Sequence, residues 1–411
     1  MLYTRERAKE LIAAIISDDD KVIKTGMTLP VRMGEKFKVY RIPLEYLVPN
    51  QDNDRITWKI REYEAENNRK LDIENEQDVE YLYELVYKES VAENQTTMED
   101  LAKKGQQVDG VITNNGIIID GNRRATLLRR LYNGEADKYN KSVEDFRYFN
   151  CIVLPNDMQR KEIMALETML QIGVDEKVKY NRICLYIKVD NLIQAGYTHT
   201  QIKQYMNLDS EKVIDEMRDV YQLMVRYLQA IGKPNHYTLL DGLEDQFIQT
   251  NRVFKLLDNQ TYNASWQYST ADIANFKSVC FDYMRAKFEG KKYRSTLLGR
   301  TKSTDGVFIE ENTWKKFFQH HEEIIETTDP VSETDWHLLG KPNGQLDINL
   351  NRAADELASV IRDKDISKVI DEIRKKISKL CSLVENNQVS EADKTSIIKA
   401  SSALAEIVTK L

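Results

Sequence analysis

Apolar residues in the first third of the chain recur with two different periods. Between Thr4 and Ile16, residues Ala8, Leu11, Ile12, Ile15 and Ile16 fall at helical spacing, which predicts an amphipathic helix. Phe37, Val39, Tyr40, Ile42 and Leu47 stand between charges and prolines and predict a short strand that turns at Pro49 and Asn50. Residues 51–100 carry Glu74, Glu76, Asp78, Glu80 and Glu84 beside an apolar row of Val79, Leu82, Tyr83, Leu85 and Val86, the pattern of a solvated helix with one face on a sheet. The period then shortens. Gly110 to Thr113 and Ile117 to Ile119 read as strands joined by the hairpin turn Asn114-Asn115-Gly116, followed by a glycine-bearing turn and a helix from Arg123 to Tyr132. Phe149 to Leu154 adds a strand closed by Pro155, and helical spacing returns from Met158 to about residue 290, with a polar loop from Asp258 to Ser269. In the tail, Ile366, Ile370, Ile373, Ile377 and Leu380 form one continuous apolar helical face, suited to packing within the chain or to self-association.

This order of elements predicts an α+β fold, a small mixed sheet with helices followed by a predominantly helical region. A length of 411 residues accommodates two or three folded units. With 41% hydrophobic and 30% charged residues and seven prolines, the chain is neither collagen-like nor wholly disordered. No stretch approaches the roughly 20 apolar residues of a membrane span. Asp18, Asp19 and Asp20 stand where a signal peptide would need its cleavage site, so a cytoplasmic protein with no membrane partner is expected. The formal net charge of −7 supplies no global field for a polyanion, and any nucleic-acid contact must be local. Cys151, Cys184, Cys280 and Cys381 lie far apart and read as buried small hydrophobes. Trp314 and Trp336 read as core anchors, and the scattered His199, His236, His320, His321 and His337 do not suggest zinc.

The sharpest chemical feature is Ile117-Ile118-Ile119-Asp120-Gly121-Asn122-Arg123-Arg124-Ala125, an apolar strand that turns straight into a helix bearing two arginines. Unpaired amides at a helix N-terminus combine with adjacent guanidinium groups to hold phosphate. Gly121 permits a close backbone approach, Asn122 can cap the helix, and Arg123 or Arg124 can make bidentate contacts. Asp120 can bind a divalent cation, orient an arginine or cap the helix. Arg129 and Arg130 fall near the helix C-terminus, where the dipole favours cations without any ligand.

The stretch resembles the arginine motif of the ParB and sulfiredoxin superfamily, in whose ParB members a glycine, one variable residue and paired arginines are followed by alanine. Ile42-Pro43-Leu44 and Leu47-Val48-Pro49-Asn50 resemble the family's opening strand and Pro-Asn turn, and Arg55 its following arginine. Leu101 to Gly110 resembles the segment before the central strand, with Asp109 where proline is common. Ala165-Leu166-Glu167-Thr168-Met169-Leu170-Gln171 resembles the acidic motif, with Thr168 in place of asparagine and Gln171 in place of arginine. The resemblance spans roughly residues 35 to 225. It implies a nucleoside triphosphate, CTP or ATP, with Gly121, Asn122, Arg123 and Arg124 around its phosphates and Glu167 near magnesium, and it fits a bacterial, plasmid or phage source. Sulfiredoxin chemistry is set aside, because its catalytic cysteine lies in this turn, whereas here Asn122 stands there and the nearest cysteine is Cys151.

Asn181 to Gln194, Gln201 to Met206 and a helix beginning near Glu211 read as a helix-turn-helix, a region that contacts DNA in ParB relatives. Its third helix opens with four acids against two bases, a poor face for phosphate, so Gln201, Lys203 and Gln204 are the DNA-binding candidates there. Lys291, Lys292 and Arg294 around Tyr293 form a second candidate patch, able to hold a backbone and stack a base or to be a solvated loop. The expected organisation is a helical extension (1–34), a nucleotide-binding domain (35–160), a helix-turn-helix-like domain (161–232), a mixed helical domain (233–345) and a C-terminal packing or oligomerisation region (346–411). Three functions follow as expectations. The first is a nucleotide-responsive protein that couples CTP or ATP with magnesium to DNA or partner binding, as a homo-oligomer or with a protein partner, with slow triphosphatase activity at most. The second is a nuclease in which Asp109, Asp120 and Glu167 gather a metal, Asp120 and Glu167 being the catalytic candidates. The third is a nucleotide-free scaffold, of an interaction or defence kind.

Overall fold

The computed structural model describes residues 3–89, 91–172, 182–299, 306–385 and 390–410. The chain divides into two compact units, Met1–Asn251 and Arg252–Leu411.

In the first unit, helix α1 (Arg5–Ile16) precedes strands β1 (Val22–Met27), β2 (Phe37–Pro43) and the two-residue β3 (Val48–Pro49). Helices α2 (Thr57–Asn67), α3 (Glu76–Lys88) and α4 (Val91–Lys104) follow. The hairpin of β4 (Gly110–Ile112) and β5 (Ile117–Asp120) then leads into α5 (Asn122–Tyr132), and β6 (Tyr148–Val153) completes the sheet. The six strands are ordered β1-β2-β6-β4-β5-β3, with β6/β4 and β5/β3 parallel and the other pairs antiparallel. Strands followed by a helical region make up the α+β arrangement expected from the order of elements.

Both faces are covered, so neighbouring residues of one strand enter different cores. Tyr40, Ile112, Ile118 and Cys151 pack with Ile12, Leu101 and Leu127 from the helices on one face. Val39, Val111, Ile119 and Ile152 pack with Leu166 on the other. The acidic segment forms α3 as the spacing predicts, with Val79, Leu82, Tyr83, Leu85 and Val86 buried.

Helices α6 (Arg160–Gln171), α7 (Arg182–Gln194), α8 (His199–Met206) and α9 (Glu211–Ala230) follow in the first unit, and α10 (Glu244–Asp258) carries the boundary between the units. Asn207 ends α8 in the left-handed conformation, at φ 52°, and turns the chain toward α9.

The second unit contains α11 (Thr270–Arg285), the short α12 (Gly290–Lys292) running into a π-helical turn (Tyr293–Leu298), α13 (Glu311–Thr328), α14 (Glu333–Gly340), α15 (Gln345–Glu385) and α16 (Glu391–Lys410). Its core is aromatic: Trp314, Phe276, Phe308 and Phe317 are buried and their rings meet at tilted or edge-on angles. Trp314 and Trp336 are both buried, as core anchors should be. Cys151, Cys184 and Cys280 are buried too, but Cys381 is exposed, because it lies on the distal part of α15 where Ile366, Ile370, Ile377 and Leu380 also face solvent. None of the described helices is long and apolar enough to cross a membrane.

Candidate functional site

Strand β3 pairs in parallel with β5, and this places the Pro49-Asn50 turn beside the start of α5. Gly121 occupies the N-cap position at φ 91°, a left-handed conformation that side chains resist. A Cβ there would lie 2.8 Å from Cζ of the fully buried Phe149 and 3.0 Å from Nη2 of Arg124. Asn122 therefore does not cap the helix, contrary to the expectation from its residue type. Gly121 has taken that position, and Asn122 is the buried first residue of α5. Its Nδ2 donates to the Ile118 carbonyl at 2.9 Å and its Oδ1 accepts the Asn50 amide at 3.0 Å, joining the two turns. The N-terminus of α5 has no side-chain cap.

Arg123 is oriented largely by neutral groups. Its Nε donates to Asn94 Oδ1 at 2.7 Å and its Nη2 to Thr97 Oγ1 at 3.1 Å, while Glu93, half exposed, lies 3.4 Å from Nη1. Burial pulls the Arg123 pKa down, Glu93 opposes that, and the charge of nearby Arg55 adds to it. Arg124 is different. Its Nη2 pairs with Asp120 Oδ2 at 3.0 Å, and its Nε is buried without an acceptor among the described residues. Of the three roles open to Asp120, the geometry displays the orientation of an arginine.

Glu167 is 3% exposed and lies in a compact polar cluster. Its Oε1 accepts from Asn50 Nδ2 at 2.9 Å and from Gln171 Nε2 at 3.3 Å. Its Oε2 lies 3.5 Å from the ammonium of Lys188, which reaches in from α7 and stands 2.8 Å from Asp54 Oδ2. The Lys188–Asp54 contact is an ion pair by distance. Burial pushes the Glu167 carboxyl up to about 8 against the pull of Lys188, and pushes Asp54 up as well. The carboxylates Asp54 and Glu167 raise the Lys188 ammonium against the opposing effect of burial, which is the largest single influence on it.

The residues around Glu167 do not fit magnesium as they are arranged. A hard cation needs converging oxygen acceptors, and Glu167 instead meets two amide N–H groups and an ammonium. Nor do Asp109, Asp120 and Glu167 gather a metal, because each faces its own cation: Lys24, Arg124 and Lys188. Among the described residues no group of three or more histidine, cysteine or carboxylate side chains is placed to hold a metal ion.

The candidate DNA contacts are spread over both units. Gln201 is used to close a capping box with Thr198 at the start of α8, Lys203 is half-buried and Gln204 is exposed. In the second unit, Lys291 and Arg294 are exposed, but Lys292 pairs with Asp347 at 2.6 Å. Tyr293 cannot stack a base as the sequence suggested, since the π-helical turn rotates it fully into the core. Asn94, Thr97, Asp54 and Lys188 were missed. Lys188 carried a readable signal, an isolated cation within the buried row Ile183, Cys184, Tyr186, Ile187, Val189 and Leu192 of α7, where a lysine needs a partner. Neither a protein-family model nor a curated protein matches the chain.

Proposed function

We propose that the first unit binds a nucleoside triphosphate, CTP or ATP, with its phosphates at the N-terminus of α5, and that the helices after β6 respond to its presence and pass the change to DNA or a protein partner. One observation carries the reading. The first turn of an 11-residue helix, without a side-chain cap, stands beside an arginine oriented by neutral Asn94 and Thr97 and by the half-exposed Glu93, and the charge of a second guanidinium, Arg55, depresses its pKa. Backbone amides, a helix dipole and guanidiniums of like charge are together stabilised by a polyphosphate. Arg123 is then the principal phosphate ligand. Arg124, already matched by Asp120, has the secondary role of shaping the turn. Asp120, the carboxylate of the turn, is paired with Arg124, and the proposed activity is accordingly binding rather than hydrolysis.

Isothermal titration with CTP, ATP, GTP and UTP, with and without magnesium, tests the proposal. One nucleotide should bind preferentially, with Arg123→Ala weakening it by roughly tenfold or more, the worth of a charge-assisted contact. Absence of binding to all four by the folded protein counts against it.

A further inference from the structure

We infer that Lys188 is the resident cation of the Glu167 cluster: its ammonium, delivered by α7, holds the place between Asp54 and Glu167 that a divalent metal would need, so this chain's acidic motif works without one. The inference concerns the protein free of nucleotide and stands whether or not a nucleotide binds.

The orientation of the amides supplies the argument. Asn50 Oδ1 accepts the backbone N–H of Asp52 at 3.0 Å, which leaves its Nδ2 to face Glu167. Gln171 Nε2 donates to the Ile119 carbonyl at 2.9 Å, and the same NH2 group faces Glu167. Both amides are thus fixed as donors by bonds that do not involve Glu167. A cluster built to receive a metal would turn oxygen inward; this one turns N–H inward and adds an ammonium. Lys188, Asp54 and Glu167 are each at least nine-tenths buried, at 2%, 4% and 3% exposure, so bulk water does not supply the balancing charge. Because Lys188 belongs to α7 while Asp54 and Asn50 precede α2, the same contact fastens the later helices onto the sheet.

The test uses the full chain without nucleotide, with manganese and magnesium as probes. Manganese titration followed by electron paramagnetic resonance should show no site that depends on Glu167, and thermal unfolding of the wild type should not move with either metal up to millimolar concentration. Lys188→Met should lower the melting temperature by roughly 6 to 20 °C, the span expected when a buried ion pair loses its cation. The variant Lys188→Met/Asp54→Asn/Glu167→Gln, in which the cluster is neutral throughout, should melt well above Lys188→Met, and it decides the matter even where the single variant does not fold. A manganese site in the wild type that Glu167→Gln abolishes would overturn the inference. So would a Lys188→Met variant that melts like the wild type, or a triple variant no more stable than the single one.

Discussion

Arg123 and Lys188 are both cations drawn toward the interior of the first unit, and they are held in opposite ways. Lys188 is buried against the carboxyl groups of Asp54 and Glu167, so its charge is spent inside the fold. Arg123 retains 21% of its side-chain exposure, is steered by Asn94 and Thr97, and pairs at 3.4 Å with Glu93, which is half exposed so that water screens the pair. A buried charge whose partners are buried with it is a structural element; under the proposal, one whose carboxylate partner is screened by water exchanges that partner for an anion. The difference predicts that substitutions at the Lys188 cluster act on stability, whereas substitutions at Arg123 act on binding.

The largest expected effect is at Asp54. Replacing it with leucine leaves the Lys188 ammonium beside Glu167 alone, and urea unfolding should show a loss of about 3–5 kcal/mol, the cost of breaking a buried ion pair from one side. A pH series sharpens the same point. Burial raises the Glu167 carboxyl from 4.5 to about 8, so between those values the folded chain binds more protons than the unfolded one. Stability from this group is therefore complete below about pH 4.5 and declines as the pH rises through about 8, and Glu167→Gln should flatten that decline when unfolding midpoints are compared at about pH 5 and 8.

Arg123→Ala should cost about 1.5–3 kcal/mol of nucleotide binding, measured by titration, with little change in melting temperature. An equal loss of stability would erase the contrast with Lys188. Next in size is Gly121→Ala, which forces a side chain into the left-handed region and against the Phe149 ring. Its backbone cost alone is about 1–2 kcal/mol, visible in thermal unfolding followed by circular dichroism. The smallest effect belongs to Lys292→Ala, whose pair with Asp347 is 43% exposed on the lysine side. It should change stability by about 0–1 kcal/mol and leave any DNA association almost unchanged in a salt titration, since the lysine is already neutralised.

The parts of this picture that were legible in the sequence depend on local period. The hairpin and α5 could be read because Gly110, the Asn114-Asn115-Gly116 turn and Gly121 punctuate an apolar alternation, and α3 because its apolar row repeats at helical spacing. What was misread depends on competition between neighbours. Asn122 is a good capping residue, but Gly121 takes the left-handed N-cap position, where a Cβ would meet the Phe149 ring, and so moves the cap by one position. Tyr293 looked like a solvated aromatic among bases until the π-helical turn directed it inward. The Lys188 cluster brings together residues 50, 54, 167, 171 and 188, and only the crossing of α6 and α7 with the Pro49-Asn50 turn creates it. Long-range pairing of that kind leaves no periodic trace.

The most direct test is a titration of CTP and ATP into the wild type and Arg123→Ala in the presence of a chelator, with no divalent metal. The account predicts saturable binding to the wild type that Arg123→Ala reduces by roughly an order of magnitude or more. Binding that appears only when magnesium is restored, and is then equally tight in both proteins, would contradict it.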